Sequence, residues 1–196
     1  MHGVCDANCV NITTSINASA PITIRLHPEW APIGAAHFAA LVDEDAFYDE
    51  NAMFRVVPPN APKCVHTCGG LIQFGISGNA SLNKKWSKPI ADDPRVANVS
   101  NVRGTLAFAT GGPNTRSTQL YVNLGDNSKL DPLNFPPFAE VVSGMEVLDR
   151  AFNPTPGNPY GVDQDAYLRK GNKWIRATYP GIDFVQRIYT VAVRAR

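Results

Sequence analysis

The chain has 196 residues, 44% of them hydrophobic and 18% charged, with 18 Lys and Arg against 17 Asp and Glu. That balance lacks the electrostatic footprint of a nucleic-acid binder, since the largest basic cluster is Lys84, Lys85 and Lys88 around Trp86. No apolar run approaches the roughly 20 residues of a membrane helix. The expectation is a monomeric, single folded domain over 1–196, rich in turns because it carries 16 Pro and 15 Gly.

In chain order, residues 1–20 read as an N-terminal arm that includes Cys5 and Cys9. Ile22-Thr23-Ile24-Arg25-Leu26 alternates as a strand should, and Pro28 and Pro32 then break it. A helix follows from 32 to about 45, with Pro32 suited to its first turn and Ile33, Ala36, Phe38, Ala40, Leu41 and Val42 on a broad apolar stripe. Apolar runs at 54–58 and 71–76 predict buried strands, each interrupted by one polar donor, Arg55 and Gln73. Residues 59–70 form an insertion-like loop with Cys64 and Cys68, and 78–102 is polar without a clear period. Further strands are expected at 105–109, 119–124, 138–142 and 184–193, and a second amphipathic helix at 143–152. Many short strands with two helices argue for a β-rich closed sheet whose ends the helices cover.

Four Asn-X-Ser/Thr sequons begin at Asn11, Asn17, Asn79 and Asn98, an excess over chance that points to a secretory protein. The four cysteines, in two pairs of equal spacing, read as two disulfides formed in an oxidising compartment. The competing reading is a four-thiolate zinc site, with His2 or His66 nearby, although the three-residue gap within each pair departs from the commoner two. Met1-His2-Gly3 lacks the basic start and apolar core of a leader, so localisation rests on sequons and cysteines.

The stretch from Gly104 to Tyr121 joins two strand-like segments through Gly111-Gly112-Pro113 and a run of amides and hydroxyls. It holds many hydrogen-bonding groups but no carboxylate, histidine or cysteine. Such a loop suits gripping a peptide backbone and not proton transfer or nucleophilic attack.

The order of these elements resembles one family, the cyclophilins, which are peptidyl-prolyl cis-trans isomerases. The likeness covers nearly all of 22–193 and rests on Phe54-Arg55-Val56-Val57-Pro58, on Gln73 before Gly75, and on Gly112-Pro113-Asn114-Thr115 with Ser117-Thr118-Gln119. Leu130-Asp131, Phe138 and Val141 to Val147 follow in family order. The fold implied is mainly β, an eight-stranded antiparallel closed β-barrel capped by two α-helices. The activity implied is rotation of X-Pro bonds in peptides or unfolded proteins, with no cofactor.

The resemblance makes Arg55 the catalytic arginine, against a structural ion pair, and Gln73 the amide that orients it, against an ordinary strand-surface amide. Leu71, Tyr121 and Leu130 would line a proline slot, with Phe135 near it, and Ala109, Thr110 and Gln119 would contact the peptide backbone. Three positions depart from the family pattern. Gly70 stands where a pocket phenylalanine is expected unless Phe74 or the longer preceding loop rebuilds that wall. Lys129 stands where many members carry a tryptophan, so weak cyclosporin binding is expected, and Phe135 falls near a usual histidine. These departures motivate an alternative, a catalytically weak proline-binding interaction module.

Overall fold

The structure, a computed structural model, describes residues 8–62 and 64–190. Cys5, His2 and the end of the expected closing strand, 191–193, lie outside the described residues.

Among the described residues, nine strands form one antiparallel sheet: β1 (Cys9–Thr14), β2 (Ile22–Leu26), β3 (Asn51–Ala52), β4 (Arg55–Val57), β5 (Leu71–Phe74), β6 (Thr105–Phe108), β7 (Leu120–Asn123), β8 (Pro137–Ser143) and β9 (Phe184–Thr190). Their order is β3-β9-β1-β2-β8-β6-β7-β5-β4. The two end strands, β3 and β4, are separated in sequence only by Met53 and Phe54. Three residue steps span at most about 11 Å, so the sheet must curl until its ends meet. Eight strands in a closed barrel were expected. The ninth is the two-residue β3, and among the described residues no ladder joins it to β4, so the chain itself bridges the seam.

Residues 1–20 are not merely an arm, because β1 lies inside the sheet between β9 and β2. Its Val10, Ile12 and Thr14 are buried while Asn11 and Thr13 are half-buried, a period of two obscured in sequence by the neighbouring cysteine and sequon.

Helix α1 (Pro32–Asp43) buries Phe38 and Leu41 in the main core, where Phe38 packs on Phe138 and Phe138 on Phe108. Two expected helices become four α-helices among the described residues. The 143–152 segment contributes only α3 (Met145–Leu148), since Gly144 at φ 91° sets its start and Arg150 and Ala151 bond three residues back, tightening the next turn. The polar 78–102 segment holds α2 (Ala80–Lys85), which Asn79 caps by accepting from Ser81 N at 2.9 Å.

Helix α4 (Gln164–Thr178) escaped sequence reading because Gly171, at φ 65°, kinks it midway and most of its surface is polar. A Cβ on Gly171 would sit 2.5 Å from Gly78 O, so the close crossing demands glycine. The available signals were Asp163, which caps Ala166 N at 2.9 Å, and the eight-residue spacing of buried Tyr167 and Ile175. These two side chains join Phe54, Ile76 and Phe184 in a second core. Among the described residues, no helix is long and apolar enough to cross a membrane.

Candidate functional site

Strand register builds the site. Arg55 pairs with Gln73, Gln73 with Tyr121, and Tyr121 with Ala107, so one row of four residues crosses four neighbouring strands. At the usual ~4.8 Å between strands the row spans about 14 Å. Because side chains alternate across a pleated sheet, this row faces one side while Val56, Ile72, Val122 and Leu106 face the main core on the other. The alternation explains how apolar strands carry an arginine and a glutamine.

Arg55 donates from Nε to Pro159 O at 2.6 Å and from a terminal nitrogen to Gln73 Oε1 at 3.0 Å. Gln73 passes the chain on, donating to Gln119 Oε1 at 2.8 Å. Both acceptors of Arg55 are neutral, and no carboxylate pairs with it among the described residues. Burial pulls the guanidinium below its ordinary value, with Tyr160 acting the other way, yet an arginine stays charged at neutral pH. Among the described residues, then, Arg55 forms no structural ion pair and is a partly desolvated cation with N–H groups to spare.

Beside this relay lies a buried apolar cluster of Val57, Leu71, Ala107, Tyr121 and Leu130, with Ala61, Ala109 and Phe135 packed against it, and it contains the side chains expected to wall the proline slot. Phe135 meets Tyr121 edge-on, with ring centroids 6.0 Å apart. Gly70 has φ 79°, and a Cβ there would lie 2.7 Å from Val57 O and from Pro59 N, so no side chain fits. The missing wall comes from Ala61 of the longer loop, whereas Phe74 points into the main core. Lys129 is exposed.

The gripping loop is ordered by its own hydroxyls. Thr110 Oγ1 accepts from Gly112 N at 3.1 Å and pairs with Thr115 Oγ1 at 2.8 Å, which in turn accepts from Gly111 N at 2.9 Å. The Thr110 side chain thus serves the loop, and its backbone is what remains for a ligand. A polar hollow of about 230 Å³ runs along Gln73, Ala109, Thr110 and Gln119. The site therefore brings together Arg55, Gln73 and Gln119 as a relay, and Leu71, Tyr121, Leu130 and Phe135 as a slot, with Ala109 and Thr110 at the rim.

Two supporting networks were invisible in the sequence. Under the slot, Tyr121 donates to Asn101 Oδ1 at 2.7 Å, Asn101 donates to Asp131 Oδ1 at 2.9 Å and Phe135 O at 2.8 Å, and Asn127 donates to Asn123 Oδ1 and Gly70 O at 2.8 Å each. Burial, aided by Asp131, raises the Tyr121 phenol well above its ordinary value, which keeps it a donor. Replacing Tyr121 by Phe should cost about 0.5–1.5 kcal/mol, because Asn101 Oδ1 retains a bond from Asn123 at 3.2 Å. Urea unfolding of the two proteins measures this.

Behind the gripping loop, Arg116 is fully buried against Asp93, at 3.0 Å, and Asp92, whose contact with Nε at 3.2 Å is ionic and not a directed hydrogen bond. Asp93 also accepts from Ile33 N and Gly34 N at 2.8 Å each. Ala31, at the helix start, offers no side-chain cap, so a carboxylate from a distant loop caps α1. Asp92 and Asn114 exchange two backbone-to-side-chain bonds, tying the same loop again.

His37 on α1 meets Ser117 O at 2.7 Å, and Tyr48 donates to Thr118 O at 3.0 Å, immediately before Gln119. Burial lowers the His37 pKa from 6.5, the bond to Ser117 opposes this, and Arg116 adds to the lowering. The unfolded chain then binds more protons than the folded one just below pH 6.5, so stability is full above that value and declines as pH falls through the depressed folded value. In His37→Gln this part of the decline should vanish, which urea midpoints measured at pH 7.5 and pH 5 would reveal.

Cys64 and Cys68 are joined, with Cα atoms 5.1 Å apart, and Cys9 is also disulfide-bonded. The first bond uses two of the thiolates that a zinc site would have needed. Of the sequons, Asn79 and Asn98 are exposed, Asn17 sits half-buried in a turn, and Asn11 accepts from Thr23 Oγ1 at 2.9 Å within the sheet.

Comparison with known proteins agrees with this architecture. The family model of the cyclophilin type peptidyl-prolyl cis-trans isomerase/CLD matches residues 9–162. A peptidyl-prolyl cis-trans isomerase of Acinetobacter baylyi is 30% identical over 149 residues, covering 74% of this chain and 72% of that protein. Peptidyl-prolyl cis-trans isomerase B of Escherichia coli is 30% identical over 155 residues, covering 74% and 85%. A crystal structure of a cyclophilin type peptidyl-prolyl cis-trans isomerase from Cryptosporidium parvum shares the fold, with a TM-score of 0.62 at 17% identity over 95% of this chain and 99% of that one. With an antiparallel curled sheet and this match across most of its length, the chain belongs to the cyclophilin-type peptidyl-prolyl cis-trans isomerases.

Proposed function

We propose that the protein accelerates X-Pro rotation by placing Arg55 against the prolyl nitrogen of a peptide whose proline ring occupies the Val57, Leu71, Tyr121 and Leu130 slot. Rotation about an X-Pro amide is slow because resonance gives the C–N bond double-bond character, with a barrier near ~20 kcal/mol. Twisting the bond breaks that resonance and returns a lone pair to nitrogen. A fixed donor then meets charge that exists only in the transition state, so its stabilisation lowers the barrier instead of merely tightening binding. Each ~1.4 kcal/mol of such preference is a tenfold gain in rate.

The observation that carries this reading is the pairing of Arg55 with two neutral acceptors, which leaves its charge uncompensated beside an apolar slot. The substrate class is proline-containing peptides or protein clients. A further Cryptosporidium parvum cyclophilin structure, of TM-score 0.60, was determined in the presence of the dipeptide Ala-Pro. Exchange NMR on a short Ala-Pro peptide tests the proposal: catalysed exchange that Arg55→Ala largely removes supports it. Binding without accelerated exchange, indifferent to Arg55, would instead favour a proline-binding module.

Weak cyclosporin binding belongs to the same reading, supported by the exposed Lys129, the residue before Leu130. A secretory location is supported by the Cys64–Cys68 disulfide and by the exposure of Asn79 and Asn98, the two sequons best placed to carry glycan.

A further inference from the structure

Strand β4 is one of the two end strands of the sheet. The 153–162 segment covers only its first part: Val162 N donates to Phe54 O at 3.0 Å, and Gly161 approaches so closely that a Cβ would lie 2.7 Å from that of Arg55. Beyond Arg55 the segment parts from the edge and leaves a cleft of about 250 Å³. Val57 and Pro58 floor it, Ala61 and Pro62 of the insertion wall one side, and Asn158 and Pro159 wall the other. Val57 and Ala61 also belong to the apolar cluster of the slot, so the cleft borders it directly.

The cleft is apolar in its chemistry. Asn158 is occupied at both ends of its amide, donating to Gly161 O at 2.9 Å and accepting from Tyr160 N at 3.0 Å. In an antiparallel ladder, alternate residues turn both backbone groups outward. The Phe54 O to Val162 N bond sets the phase, so Val56, two residues on, turns its N–H and C=O away from β5, where neither finds a partner among the described residues. An edge with unpaired backbone beside an apolar hollow takes an extended chain bearing an apolar side chain. The volume is below the ~300–1,000 Å³ of drug-sized pockets, which matches one or two side chains.

The geometry points to a second substrate subsite: the cleft between the disulfide-bearing insertion and the 153–159 segment takes a bulky apolar side chain flanking the proline, and so sets sequence preference. The occupant is the peptide already in the proline slot, because the two spaces share walls. This inference rests on the isomerase reading. The insertion then acts as a specificity element, held in place by the Cys64–Cys68 bond and by Asn60 N donating to Cys68 O at 2.8 Å.

Exchange NMR on peptides with Ala on both sides of Pro, and on matched peptides with Leu or Phe within two residues on one side or the other, tests the assignment without a coupling protease. The expected result is kcat/KM about tenfold higher for the apolar peptides on one side only, from burial of one side chain. Pro62→Trp, which fills the cleft from its outer wall, should erase that preference while the all-Ala peptide turns over as before. A Cys64→Ser/Cys68→Ser pair should weaken the preference by loosening the wall. Equal rates for all flanks, or a preference that Pro62→Trp leaves intact, overturns the subsite. No catalysed exchange of any peptide overturns the isomerase reading itself.

Discussion

Arg55→Ala is expected to lower kcat/KM on an X-Pro peptide by about 10²–10³-fold, the range seen when a single preorganised transition-state donor is removed. The substitution takes away the only charge in the relay of Pro159 O, Arg55, Gln73 and Gln119 while leaving the apolar slot on other residues. The loss should fall on kcat more than on KM, since the twisted amide and not the planar one demands the cation. Arg55→Lys keeps a charge but cannot reach two acceptors with a rigid fork, so its rate should lie between those of wild type and Arg55→Ala. Thermal melts recorded beside the exchange measurements separate lost chemistry from lost fold. A full rate in Arg55→Ala would overturn the mechanism.

Asp93→Ala should produce the largest stability effect. It strands the fully buried Arg116 without its closest carboxylate and removes the acceptor of two amides at the start of α1. Breaking a buried pair by deleting one partner costs about 3–5 kcal/mol, which for a chain of this size is a fall in melting temperature of roughly 6–20 °C. Removing both charges together, as in Asp93→Leu with Arg116→Met, should recover part of the loss, because the stranded charge and not the missing attraction dominates. Activity should suffer as well. The Arg116 backbone bonds Ile90, and Ser117 to Gln119 follow directly, so the gripping loop loses an anchor. Scanning calorimetry on the single and double variants gives the test.

How far these residues could be read from sequence differs from case to case. Strands with a clean period of two, such as β2, or with an apolar run around one polar residue, such as β4 and β5, stood out because local alternation reports which face is buried. Helix α4 did not, since Gly171 interrupts its period and its buried face is sparse. Gly70 looked like a defect in the slot. In the structure it marks a crossing too tight for a side chain, and Ala61 supplies the wall from a loop whose path no local pattern predicts.

The sequence by itself determined the β-rich character, helix α1, the polar interruptions Arg55 and Gln73, and the character of a loop that can hold a peptide without acid, base or nucleophile. Those are local properties, set by side-chain alternation and by the inventory of functional groups. Tertiary structure alone decided that Arg55 meets Pro159 O and, among the described residues, no carboxylate, that Asp93 caps a helix about sixty residues away, and that the insertion borders a cleft beside the slot residues. Each depends on which distant segments meet. That is fixed by strand register and by the burial of polar groups that must find partners, neither of which a single stretch of chain encodes.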